Sequence, residues 1–113
     1  MTSPSIEPLQ LFETSAGTWS LMLTDQYFGK VASVFEQTEG FEGNGYDWGS
    51  VAEAVVGRDA PHLKNRFGTD PEAGMFVAYG TDHEALTELG ILLAKAYSDV
   101  EYLSGLIEIS EPD

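Results

Sequence analysis

The sequence predicts an α+β fold: an antiparallel sheet from two β-hairpins, about four strands in all, with helices packed mainly on one face. Three observations carry this. Stretches alternating apolar and polar residues with a period of two occur near the start and in the second half of the chain, each broken by a glycine-bearing turn. Longer segments with apolar residues at helical spacing lie between and after them. The order is therefore strand-strand, helices, strand-strand, helices, a segregation that suits antiparallel pairing with one face covered.

Each element has its own warrant. In Pro8 to Thr14, Leu9 and Leu11 alternate with Gln10 and Phe12; in Thr18 to Leu23, Trp19, Leu21 and Leu23 alternate with Ser20 and Met22. A three-residue loop, Ser15-Ala16-Gly17, joins them as a hairpin. Tyr27 to Thr38 carries Tyr27, Phe28, Val31, Val34 and Phe35 at helical spacing. A second helix is expected from Trp48 to Val56, capped by Asp47 and ended by Gly57. Asp59-Ala60-Pro61 opens a short further helix closed by Gly68, with proline acceptable in the first turn. Arg66 to Thr69 and Gly74 to Tyr79 flank Asp70-Pro71-Glu72-Ala73, which reads as the turn of the second hairpin.

Thr81-Asp82-His83-Glu84 fits a capping box, followed by the apolar stripe Leu86, Leu89, Leu93, Ala96 and Tyr97 in a helix reaching about Ser98. Ser98-Asp99-Val100-Glu101 repeats the pattern before Leu103, Leu106 and Ile107. A chain of 113 residues suits one domain over 1–113, with 1–7 and 109–113 expected as frayed ends. At 42% hydrophobic it can bury a real core. Its start has neither a basic n-region nor an apolar h-region, and no window approaches a membrane span, so a cytoplasmic location is expected.

Net charge is -14, from 19 acids against 5 bases. That balance disfavours binding nucleic acid or an anionic membrane and favours a basic protein surface. The same acidity also serves solubility alone. From Asp70 to Asp113 there are ten acids and one base, whereas Arg58, Lys64 and Arg66 cluster in the middle, an asymmetry that suits an oriented partner.

The chain has no cysteine, hence no thiolate chemistry and no cysteine metal site. His62 and His83 lie in no recognised catalytic or metal spacing. Glu39, Glu42, Asn44 and Asp47 do not reproduce the alternating oxygen ligands of a calcium loop. Gly43-Asn44-Gly45 lacks the lysine and hydroxyl of a phosphate-binding loop. No catalytic residue, metal or cofactor is expected.

The segment from Glu39 to Gly49 holds four glycines, three aromatics and three acids. So many glycines imply a sharply bent backbone, because each costs extra entropy to fix. Trp48 reads either as a core residue folded under the sheet, the commoner fate, or as an interface anchor. Tyr46, with its polar tip, is the better candidate for an exposed contact. Glu39, Glu42, Tyr46, Asp47 and Trp48, with Asp70 and Glu72 on a second protruding turn, form the expected partner-binding set.

Together, Glu42-Gly43-Asn44-Gly45-Tyr46-Asp47-Trp48 and Asp70-Pro71-Glu72-Ala73-Gly74-Met75-Phe76-Val77-Ala78-Tyr79 resemble the bacterial polymorphic-toxin immunity protein family numbered fifty-one, from about Leu11 to Tyr97. The resemblance implies a non-enzymatic role: binding and neutralising a cognate toxin, often a nuclease, in the producing cell. A nuclease surface is basic because it must hold phosphates, so an acidic protein can occupy it. The alternative is an acidic mimic of nucleic acid that inhibits a DNA- or RNA-binding protein. Oligomeric state is left open.

Overall fold

The computed structural model describes residues 5–111. Strands β1 (Gln10–Ser15), β2 (Thr18–Thr24), β3 (Gly68–Thr69) and β4 (Met75–Gly80) form one antiparallel sheet in the order β1-β2-β4-β3. The two hairpins therefore join through β2 and β4, placing the longest pairing at the centre. Helices α1 (Ala32–Glu36), α2 (Gly45–Asp59), α3 (His83–Ser98) and α4 (Val100–Ile109) complete the fold.

Alternation along the strands divides the sheet into two unlike faces. Leu21 and Leu23 of β2, opposite Ala78 and Phe76 of β4, are fully buried against the helical layer, where α3 packs on both strands and α2 on β4. Leu86, Leu89 and Leu93 of α3, Val51 and Val55 of α2, and Leu103, Leu106 and Ile107 of α4 fill the same core. The opposite face carries Gln10 and Phe12 of β1, Ser20, Met22 and Thr24 of β2, and Met75, Val77 and Tyr79 of β4. None of these eight side chains is charged, and Phe12 and Tyr79 are 39% and 45% exposed.

Several local expectations are corrected. Ser15 belongs to β1 and pairs with Thr18, leaving Ala16-Gly17 as a two-residue turn, with the register shift between Glu13 and Ser15. The helix expected over Tyr27 to Thr38 is a 3-10 turn at Asp25–Tyr27 followed by the five-residue α1. The intervening backbone bonds, Val31 N to Phe28 O and Val34 N to Val31 O, span three residues. Phe28, Val31 and Val34 thus bury one face with a period of three, which over so short a stretch cannot be told from 3.6. The Tyr97 hydroxyl fixes this segment by donating to the Tyr27 carbonyl (2.9 Å).

Helix α2 starts three residues before Trp48 and runs through Gly57 to Asp59. Glycine there costs only about 1 kcal/mol of helix propensity, and the packing of Val51 and Val55 outweighs it. The expected middle helix is one 3-10 turn, Pro61–Leu63, and Arg66 and Phe67 precede β3 rather than belonging to it. The caps of α3 and α4 each lie one residue later than expected. Asp82 accepts from Ala85 N and Asp99 from Tyr102 N, in place of Thr81 and Ser98.

Candidate functional site

The glycine-rich loop is held together by one carboxylate. Asp47 Oδ2 accepts from the backbone N–H groups of Glu42 (2.7 Å), Gly43 (2.7 Å) and Asn44 (3.4 Å). Asn44, not Asp47, is the N-cap of α2: its Oδ1 accepts from Asp47 N (3.0 Å), closing a reciprocal capping box. The signal lay in the sequence, as Asn three residues before Asp at the head of an apolar run. Asp47 is only 4% exposed. Its negative charge faces three donors and the positive end of the helix dipole, so it is stabilised where it is buried.

Two glycines are demanded by close approach. Gly43 has φ +90°, and a Cβ there would lie 3.1 Å from Ala32 Cα. Gly45 donates its N–H to Ala73 O (3.0 Å), and a Cβ on it would meet the carbonyl oxygens of Glu72 and Met75. The start of α2 is thereby seated on the turn of the second hairpin, whose tip is set by reciprocal backbone bonds between Glu72 and Met75. Pro71 packs over Gly49. The two motifs of the sequence are thus one structural unit.

Trp48 is fully buried, edge-on to Phe35 with ring centroids 5.4 Å apart and tilted to Tyr97 at 6.3 Å. Its Nε1 has no hydrogen-bond partner among the described residues. Trp48 has no surface to offer a partner and Asp47 almost none; both shape the backbone that presents Glu42 and Tyr46. Tyr46 is 40% exposed, and Glu42 is exposed with its carboxylate touched by the Asn44 amide (3.2 Å). A shallow depression of about 370 Å³ lies on this loop, lined by Phe41, Glu42, Asn44 and Tyr46 among others.

Because Gly45 sits on the hairpin turn, exposed Asp70 and Glu72 stand beside that loop. Asp25 joins them, its carboxylate next to Gly74. Asp25 escapes sequence reasoning, since only the register placing Thr24 opposite Met75 brings it to the hairpin turn. Glu39 is exposed but makes no hydrogen bond to these residues. The outcome is an acidic end of the molecule to which Asp25, Glu42, Asp70 and Glu72 contribute, with Tyr46 beside Glu42 on the loop.

Arg58 and Lys95 both lie over the Tyr102 ring, 5.4 and 4.2 Å from its centroid, at the far end of α2. Arg58 pairs with Asp59 (2.8 Å) and Arg66 with Asp82 (2.7 Å). The Arg58 hydrogen bond, assisted by the Tyr102 hydroxyl at 2.7 Å, holds Asp59 at a pKa of about 2. Burial, together with Asp59, pushes Tyr102 up to about 12. Arg66 and the Ala85 N–H share Asp82, whose pKa is lowered chiefly by the backbone bond. His62 contacts Glu88 (2.7 Å) and His83 packs edge-on to Trp19. Among the described residues there is no group of three or more carboxylates and histidines placed to hold a metal ion, and no helix long and apolar enough to cross a membrane.

Residues 9–112 match the family described as Immunity protein 51. The chain belongs to that family. The match extends beyond both ends of the Leu11 to Tyr97 span over which the sequence motifs resemble it. Membership makes this an immunity protein, with a toxin as the implied partner and inhibition rather than turnover as the implied role. Neither the curated proteins nor the solved structures contain a match.

Proposed function

We propose that this chain neutralises one cognate bacterial toxin inside the cell that makes both, by binding it as a folded domain and using its acidic end to engage a basic surface. Family membership over residues 9–112 is the observation that carries this reading. Support comes from exposed Tyr46 beside Glu42 on the loop and from Asp25, Asp70 and Glu72 at the hairpin turn on which that loop is seated, since desolvated aromatics dominate binding energy while rim charges steer encounter. A nuclease, basic because it must hold phosphates, is the toxin class this charge suits best. No step of this role needs a cofactor, metal or covalent chemistry.

Co-expression with the toxin encoded beside the gene is the test. Survival of the host together with a purifiable complex is expected, and continued killing without a complex would sink the reading. Raising ionic strength should slow association far more than it speeds dissociation. A general nucleic-acid mimic would instead compete with DNA for several unrelated basic proteins.

A further inference from the structure

The face of the sheet turned away from the helices is unlike the rest of the surface. Charged residues make up 21% of the chain, yet the eight outward positions of β1, β2 and β4 carry none, and charge enters only at the β3 edge, where Asp70 donates its N–H to the Val77 carbonyl and Glu72 bridges to Met75. The outward face of a half-buried antiparallel sheet is ordinarily polar, in alternation with its buried partners. Here Phe12 and Tyr79 project from it with more than a third of each exposed.

The register gives this face a shape. Phe12 lies opposite Ser20, and Ser20 opposite Tyr79. Neighbouring strands are about 4.8 Å apart, so the backbones that carry the two rings are about 10 Å apart with a small hydroxyl between them, and the Tyr79 ring leans over Gly68 on the β3 side. Met22 and Val77 floor the adjoining row. The arrangement is an uncharged strip that carries two exposed aromatic rings. At one end it runs through Met75 to Glu72 and Asp25, the acidic end of the molecule.

We propose that this uncharged strip is the docking surface for the toxin, which covers it with apolar side chains while basic residues beside them reach the acidic end. The inference rests on the immunity reading and locates its contact. Charge selects the occupant: a second copy would bring another net -14 against the same acidic rim, whereas a basic protein meets complementary charge. An uncharged aromatic centre with charge confined to its border is the arrangement that yields tight, selective binding.

The experiment measures binding of the neighbouring toxin domain, inactivated at its catalytic residue, to wild type and to Phe12→Thr, Tyr79→Thr and the double variant. Threonine keeps strand propensity, so the sheet is retained. Each single change should weaken binding about tenfold or more, and the pair about a hundredfold, with Glu84→Gln on α3 as the unaffected control. Tyr79 overlies Gly68, so its variant is accompanied by a melting curve; if it unfolds, Phe12→Thr and Met22→Gln decide. Wild-type affinity in folded Phe12→Thr and Met22→Gln overturns the inference while leaving the immunity reading intact. No binding by wild type removes that reading and this inference together. A wild-type dimer in sedimentation that Phe12→Thr dissociates assigns the face to self-association and also overturns it.

Discussion

Two sides of one loop use the same chemical group differently. On the inner side, Asp47 takes three backbone N–H groups and is buried beside fully buried Trp48. On the outer side, Glu42 is exposed and touched by a single side-chain amide, next to half-exposed Tyr46. The contrast teaches that the acidity of this chain is not one property. Some carboxylates are internal struts that hold backbone in place, and others, like that of Glu42, are exposed charge that holds none. The net charge of -14 counts both alike.

The inner side should break most severely at Gly45. Gly45→Ala forces a methyl group into the carbonyls of Glu72 and Met75 and parts the loop from the hairpin, so a loss of more than about 3 kcal/mol is expected in chemical denaturation. A loss below about 1 kcal/mol would mean that the two motifs are not one unit. Asp47→Ala leaves the N–H groups of Glu42 and Gly43 without their acceptor and should cost about 3 kcal/mol by the same measurement.

The outer side should behave in the opposite way. Tyr46→Ala and Glu42→Gln are expected to change stability by less than about 0.5 kcal/mol. Tyr46→Ala should weaken toxin binding about tenfold, whereas Glu42→Gln should act mainly on the association rate. Equal losses of stability on both sides would erase the distinction.

The smallest expected effect extends the comparison to the far end of α2. Asp59 is held at about 2, below its ordinary 3.8, by Arg58 and then Tyr102. With the folded value depressed, its contribution is present above about pH 4 and is lost as pH falls towards about 2. Asp59→Asn should therefore flatten that part of the stability curve against pH, while Glu42→Gln leaves it unchanged. Acid titration of the melting temperature for the two variants checks this.

Strands β1, β2 and β4 and the two long helices were legible because their periods extend over enough residues, whereas two-residue β3 is too short to show one. The caps were less so. In Thr81-Asp82 and Ser98-Asp99 two competent cap residues stand side by side, and the contact of Asp82 with Arg66, sixteen residues earlier, is invisible locally. Asn44 and Asp47 cap reciprocally, so naming either one captured half of the device. The placement of Tyr46 outside and Trp48 inside followed from the polar tip of one ring and the bulk of the other. Asp25 and the Phe12-Ser20-Tyr79 row were out of reach, because they exist only through the pairing of β2 with its two neighbours.

The two-residue alternation of the central strands has a consequence for how such a protein can diverge. Leu21, Leu23, Phe76 and Ala78 fix the core from one side of β2 and β4, while Ser20, Met22, Val77 and Tyr79 point to the other side. If the outward face is the toxin contact proposed above, positions such as Ser20 and Met22 are free to change with the partner while Leu21 and Leu23 between them keep the interior as it is.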